Sequence, residues 1–289
     1  MTDLRYESPE TLDAAVALLA GAGGGGHVLA GGTDVLVLLH SEIIAPELLV
    51  DIKRIPELKG IKEEDGGFRV GAATPAMELV DHAKFRAAWP GVIEGVNLIG
   101  SVQVKARASI GGNLCNASPA ADSVPPIIAA GAVASIVGPG GLREAPVEEI
   151  ITGPRKISLK KGEMIVSFKF PKRPPHSGDC YLRLTPRTEM DIAVVGAGVS
   201  LTLDDAGVCT AARVSLGAVA PTPLLVKDAA DALIGSKVDD AALERMAEAC
   251  RAACNPISDK RGTKEYRIKT AGVIARRAAE TALQRARGN

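Results

Sequence analysis

An α+β architecture in two domains follows from three features of this 289-residue chain. A strand, a glycine turn, a helix and a second strand occupy residues 28–52, which is a small βαβ-like unit. The proline-rich segment Pro171-Lys172-Arg173-Pro174-Pro175 offers a linker. Beyond it, strands come first and helices after, the order expected of an antiparallel sheet with helices packed on it.

Taken in order, Ser8 to Leu19 reads as a helix, with Ser8 as cap, Pro9 in its first turn, and Leu12, Ala15, Val16 and Leu19 on one face. The Gly23–Gly26 run breaks it. Val28-Leu29-Ala30 is a short strand that enters Gly31-Gly32-Thr33-Asp34. Val35 to Leu39 reads as a helix and Leu48 to Ile52 as a strand. Phe68 to Val70 begins another strand, and helical segments run from about Pro75 to Val96. Gly100 to Asp122 is polar, glycine-rich and without clear periodicity, and a segment of that length inside a compact domain is usually functional. Ile127 to Ala132 looks helical and Val133 to Val137 extended. Met164 to Phe170 alternates like a half-buried strand. After the linker, strands fall at Tyr181–Thr185, Ile192–Leu203 and Val208–Ala218, the last two joined by the turn Asp204-Asp205-Ala206-Gly207. Helices at Asp228–Ile234, Asp240–Ala253 and Lys264–Arg285 finish the chain.

Composition narrows the function. Lys plus Arg and Asp plus Glu both number 34, so there is no net charge to neutralise phosphates, and aromatics at 3% offer no base-stacking platform; nucleic acid is not the expected partner. Met1 to Arg5 lacks the apolar core of a leader peptide. The longest apolar run, Pro125 to Val137, is shorter than the roughly 20 residues that span a bilayer. Five scattered cysteines read as reduced thiols, and a cytoplasmic location is expected.

Two segments carry chemistry. Ala30-Gly31-Gly32-Thr33-Asp34 places glycines between a strand and a helix start, where backbone N–H groups and the helix dipole suit a phosphate; the alternative is a tight turn with Thr33 or Asp34 as helix cap. The stretch from Ser109 to Asp122 concentrates small and hydrogen-bonding residues. Gly111 and Gly112 permit backbone contact with a ligand, and Asn113, Asn116, Ser118 and Asp122 supply donors and acceptors; the alternative is an irregular surface loop.

Other signals have plainer readings. The glycines of Ala193-Val194-Val195-Gly196-Ala197-Gly198 imitate a dinucleotide fingerprint, but Leu201 stands in place of the third glycine and strand pattern continues where a helix should begin. Cys250 and Cys254, four apart on a helix, lack partners for a metal and suit burial. His40, His82 and His176 are isolated, with surface or capping roles.

The two glycine segments together resemble the FAD-binding subunit of molybdenum hydroxylases of the xanthine dehydrogenase and carbon monoxide dehydrogenase type. The resemblance continues through Ile99-Gly100-Ser101-Val102-Gln103-Val104, Leu159-(x)2-Gly162-Glu163-Met164-Ile165, and Tyr181-Leu182-Arg183 followed by Glu189-Met190-Asp191-Ile192-Ala193. Gly217-Ala218-Val219-Ala220-Pro221 and Ser258-Asp259-(x)2-Gly262-(x)3-Tyr266-Arg267 complete it, in family order over nearly the whole chain. It implies a two-lobed FAD-binding domain of the vanillyl-alcohol-oxidase-like kind over residues 1–174, with lobes of about 1–57 and 58–174. A domain of the CO dehydrogenase flavoprotein type, with a three-stranded antiparallel sheet and helices, would follow over 178–289.

By position, the resemblance assigns Ala30, Gly31, Gly32, Thr33, Asp34 and Val35 to the pyrophosphate. It assigns Ser109, Ile110, Gly111, Gly112, Asn113, Asn116, Ser118 and Asp122 to the ribityl–diphosphate chain and flavin surroundings. Ile99 would lie against the adenine or flavin, Met164 and Ile165 would give apolar contact, and Arg183 would approach the flavin ring. Relatives often carry Lys or another aromatic where this chain has His27 and Ile99, and Lys where Arg183 stands; Arg keeps the charge but does not readily lose a proton. No catalytic residue and no metal ligand is assigned. Non-covalent FAD is the expected cofactor. Molybdopterin and [2Fe–2S] clusters are expected only on partner subunits, in a heterotrimer or dimer of heterotrimers, because the cysteine spacings for such clusters are missing here. The competing functions are a self-contained flavoenzyme and a non-catalytic assembly subunit.

Overall fold

The computed structural model describes residues 4–188 and 190–288. The readings made of Met1–Asp3 and of Glu189 lie outside the described residues.

Three short parallel strands open the chain, with Leu48–Asp51 between Arg5–Glu7 and Gly26–Leu29. Arg5–Glu7 was not foreseen: three residues carry no periodicity, and their pairing is with a strand more than forty residues away. The first helix is Leu12–Gly21. Its cap is Thr11 rather than Ser8, because Thr11 has the extended backbone and its hydroxyl accepts from the Ala14 N–H at 3.3 Å. The helix Val35–His40 links the second and third strands.

A five-stranded antiparallel sheet follows, in the order Ile61–Glu64, Gly67–Gly71, Met164–Phe170, Val133–Gly138, Gly141–Pro146. Its central strand, Met164–Phe170, is buried on both faces and not half-buried as its alternation suggested. A β-bulge between Ile165 and Ser167 is the cause, since one extra residue exchanges the faces. Met164 and Val166 join the core under the parallel sheet, while Phe168 and Phe170 join the core under the helices. Those helices are Ala76–Asp81, Ala83–Ala88 and Pro90–Asn97, and Phe85 meets the rings of Phe68 and Phe170 edge-on at 5.3 and 5.0 Å. His82 caps the second of them, its Nδ1 accepting from the Phe85 N–H.

The linker has no regular structure, yet it is pinned. Arg173 donates to the Ala88 carbonyl, pairs with Asp179 at 2.6 Å, and stands over the Trp89 ring. Beyond it, Ser177–Leu184, Val195–Leu203 and Cys209–Gly217 form the antiparallel sheet, to which Leu224–Leu225 adds a two-residue edge strand. The glycines that imitate a nucleotide fingerprint serve packing here: a Cβ on Gly196 would fall 2.4 Å from the Tyr181 hydroxyl, and one on Gly198 would fall 2.9 Å from Pro125 backbone. Helix Lys264–Ala286 covers this sheet, Asp240–Ala253 packs against that helix, and Cys250 is buried in the shared core. The Ser258–Arg267 motif also has a local cause. The buried guanidinium of Arg267 pairs with Asp259 at 2.8 Å and donates to the Val194 and Ala218 carbonyls.

Candidate cofactor cleft

The carboxyl end of Gly26–Leu29 delivers Ala30 into the first glycine turn. Gly32 has φ +83°, a left-handed conformation that a side chain disfavours. Asp34 occupies the cap position of Val35–His40, but its side chain makes no capping hydrogen bond. Among the described residues the N–H groups of Gly31, Gly32, Thr33, Asp34 and Val35 find no acceptor in the protein. A turn whose donors are left free in this way suits an anion better than it suits a plain cap.

The second glycine segment opens the helix Ile110–Cys115, and here the Ser109 hydroxyl does cap, accepting from Gly112 N–H at 3.1 Å. Gly111 N–H is bonded to the Ala72 carbonyl, and a Cβ there would fall 2.4 Å from that oxygen, so this glycine is needed for packing. Gly112 faces open space, with only Ser109 Oγ within 4 Å of a would-be Cβ. The two segments meet. A Cβ on Gly31 would lie 1.9 Å from the carbonyl oxygen of Arg107, two residues before Ser109.

Between them runs a cleft of about 530 Å³, inside the range of about 300–1,000 Å³ usual for small-molecule sites. Its walls include Ala30, Gly31, Gly32, Thr33, Asp34 and Val35 from the first turn, and Ser109, Gly111, Gly112, Asn113 and Asn116 from the second. Ile99, Met164 and Ile165 also line it. Four residues assigned to the cofactor are not in this wall. Ile110 is buried in the core. The Ser118 hydroxyl accepts from Ala120 N–H within its own turn. Asp122 and Arg183 are bonded to each other at 2.6 Å, with Tyr181 donating to Asp122 and Arg183 also reaching the Asp191 carbonyl. Burial pushes the Asp122 carboxyl up, against the pull of Arg183 and Tyr181.

Sequence reasoning left several lining residues unassigned. His27 is in the wall; burial holds its imidazole below the ordinary range, and its Nδ1 is buried without a partner. Arg155, Lys160 and Lys161 bring positive charge to the same cleft. Their signal was the adjacent Leu159–Ile165 motif, whose Glu163 also lines it. Cys115 lines it too, but burial pushes its thiol up to about 12, so it stays a neutral packing group. Burial likewise raises Asp34.

The donor set fits a dinucleotide: free N–H groups at one turn, an open glycine face at the other, and apolar walls from Ile99, Met164 and Ile165. Comparison with known proteins agrees. Residues 2–173 match the FAD binding domain in molybdopterin dehydrogenase, and residues 181–282 match the CO dehydrogenase flavoprotein C-terminal domain. The carbon monoxide dehydrogenase medium chain of Afipia carboxidovorans is 34% identical over 98% of this chain and 97% of its own. A putative xanthine dehydrogenase FAD-binding subunit of Escherichia coli is 32% identical over 98% and 97%. Among solved structures, a CO dehydrogenase from Oligotropha carboxidovorans superposes with a TM-score of 0.94 at 34% identity, over 98% of both chains. One from Hydrogenophaga pseudoflava, described as lacking the Mo-pyranopterin moiety of its molybdenum cofactor, does so at 0.94 and 33%, again over 98% of both. No helix among the described residues is long and apolar enough to cross a membrane. The chain belongs to the FAD-binding medium subunits of the molybdenum hydroxylases, the family of carbon monoxide dehydrogenase and xanthine dehydrogenase.

Proposed function

We propose that this subunit relays electrons between [2Fe–2S] clusters on a partner and an external acceptor, in a cytoplasmic complex with an iron–sulfur subunit and a molybdopterin subunit. The observation that carries the reading is the contact of the two glycine segments across one cleft, Gly31 against Arg107. FAD, when bound, supplies a redox centre that exchanges electrons singly or in pairs. The chain's own residues bind and orient it. The N–H groups of Gly31 to Val35 would hold its diphosphate, with the start of Val35–His40 adding its dipole. Gly112 would leave room for the cofactor's backbone, Asn113 and Asn116 would offer amide groups beside it, and Ile99, Met164 and Ile165 would exclude water. The boundary of the FAD-binding domain falls, on this reading, at about residue 174.

Action as a self-contained flavoenzyme would need an acid or base at the cofactor. Asp122 and Arg183, the residues suited to that role, are committed to each other in a buried pair. The test is Gly112→Arg, which would fill the cleft without meeting the core. The variant is expected to fold and to lose its flavin, read as the ratio of flavin absorbance to protein. A folded variant with a full flavin complement overturns the site.

A further inference from the structure

The three parallel strands end side by side, at Glu7, Asp51 and Leu29, and the glycine turn leaves from that edge. Ligands of parallel sheets gather at such carboxyl ends. Asp51, on the middle strand and nearly buried, accepts from the Tyr6 hydroxyl at 2.5 Å on one side and pairs with the Lys53 ammonium at 2.7 Å on the other. Burial pushes the Asp51 carboxyl up, but the hydrogen bonds from Lys53 and Tyr6 outweigh it and hold Asp51 below its ordinary value. It is therefore a carboxylate, and it anchors Lys53. The Lys53 ammonium then donates to the carbonyl oxygen of Ala30 at 3.2 Å. Lys53 itself is not in the cleft wall, whereas Ala30 and Gly31 are.

This contact sets an orientation. Ala30 C=O and Gly31 N–H belong to one peptide unit, no described peptide is cis, and in a trans peptide the two groups point opposite ways. Holding the carbonyl toward Lys53 turns the Gly31 N–H away from it, and that N–H has no protein acceptor. Glycine at 31 leaves this peptide free to rotate, so without an anchor the plane could turn and set a carbonyl oxygen against an anion.

We infer that Lys53, anchored by Asp51, is a positioning residue that locks the Ala30–Gly31 peptide with its N–H offered to the diphosphate of the cofactor. The inference rests on the reading that the Gly31–Val35 turn takes the diphosphate. Neither composition nor motif marks Lys53, which sits in a 3₁₀ turn, Ile52–Arg54, beyond the third strand.

The experiment strips the flavin from the purified protein and titrates FAD, ADP and riboflavin by calorimetry, well below the melting temperature of every variant. Lys53→Met is expected to weaken FAD and ADP by about 10- to 100-fold, the worth of one hydrogen bond with a charged partner, and to leave riboflavin within about threefold. Lys53→Arg is expected to restore most of the loss. Should Lys53→Met fail to fold because Asp51 is left unpaired, the double variant Asp51→Asn/Lys53→Met removes both charges and is expected to show the same selective loss. FAD affinity unchanged within twofold, or an equal loss for riboflavin and FAD, overturns the inference. Gly112→Arg separates the two ideas. If it abolishes FAD binding and Lys53→Met does not weaken it, only the role of Lys53 falls. If Gly112→Arg binds FAD as the parent does, the cleft reading falls first.

Discussion

Gly31 and the carbonyl oxygen of Arg107 approach so closely that a Cβ on Gly31 would stand 1.9 Å from that oxygen. The Cβ is fixed on the main chain and the oxygen belongs to it, so relief requires a backbone segment to shift. Gly31→Ala is expected to cost about 1–3 kcal/mol as an overpacked contact. For a chain of this size that lowers the melting temperature by roughly 2–4 °C per kcal/mol, with loss of bound flavin alongside. Gly112→Ala should stay within about 1 kcal/mol, because its new methyl meets only the Ser109 hydroxyl at 3.3 Å and alanine favours the helix. Thermal melts with flavin content decide it; equal behaviour of the two variants would show that the segments do not meet as described.

Arg183 and Asp122 lie on either side of the linker and hold the two halves of the chain together inside the protein, their side chains only 5% and 9% exposed. Breaking one partner of a buried pair leaves the other uncompensated, which typically costs about 3–5 kcal/mol. Arg183→Met is expected to fall in that range by chemical denaturation. Asp122→Asn should cost at least as much, since it leaves the Arg183 guanidinium, which cannot lose its proton, without a counter-charge, and one amide oxygen cannot accept from both Arg183 and Tyr181. A loss below about 1 kcal/mol for Arg183→Met would mean that water reaches the pair.

The features that sequence revealed are those with local causes. Helix Asp240–Ala253 has the bounds the sequence suggested, and in the structure the Asp239 side chain caps it, accepting from Ala242 N–H. The two glycine segments stand out because a left-handed φ at Gly32 disfavours a side chain and a backbone contact at Gly111 leaves no room for one. What stayed hidden depends on partners far along the chain. Strand Arg5–Glu7 exists only through pairing with Leu48–Val50. Arg173 is a clamp within an apparent linker because Trp89 and Asp179 happen to converge there. Within the second motif, composition could not tell which side chains face the cleft. One short helix turns Ile110 into the core and leaves Asn113 in the wall. The cationic wall at Arg155, Lys160 and Lys161 comes from segments more than a hundred residues beyond the first turn that line the same cleft.

Segment 160–163 carries the acid sensitivity of the cleft. Glu163 receives two hydrogen bonds from Arg143, each 2.8 Å, and one from the Lys160 N–H at 2.7 Å. The Arg143 guanidinium, aided by that N–H and opposed by burial, lowers the Glu163 carboxyl to about 2 from its ordinary 4.5. A folded-state pKa below the unfolded one means that the charged form stabilises the native state. The contribution is complete above pH 4.5 and is lost as the pH falls from there toward 2. The shift alone would be worth about 3 kcal/mol, but Arg143 is 36% exposed and solvent screening reduces this to about 1–2 kcal/mol. Glu163→Gln should therefore lose about that much at pH 7, and its stability should fall less steeply than the parent's below pH 4.5. Urea midpoints measured from pH 7 to pH 3 would display the convergence of the two curves. Curves that stay parallel across that window would show that the Arg143–Glu163 contact does not persist in solution.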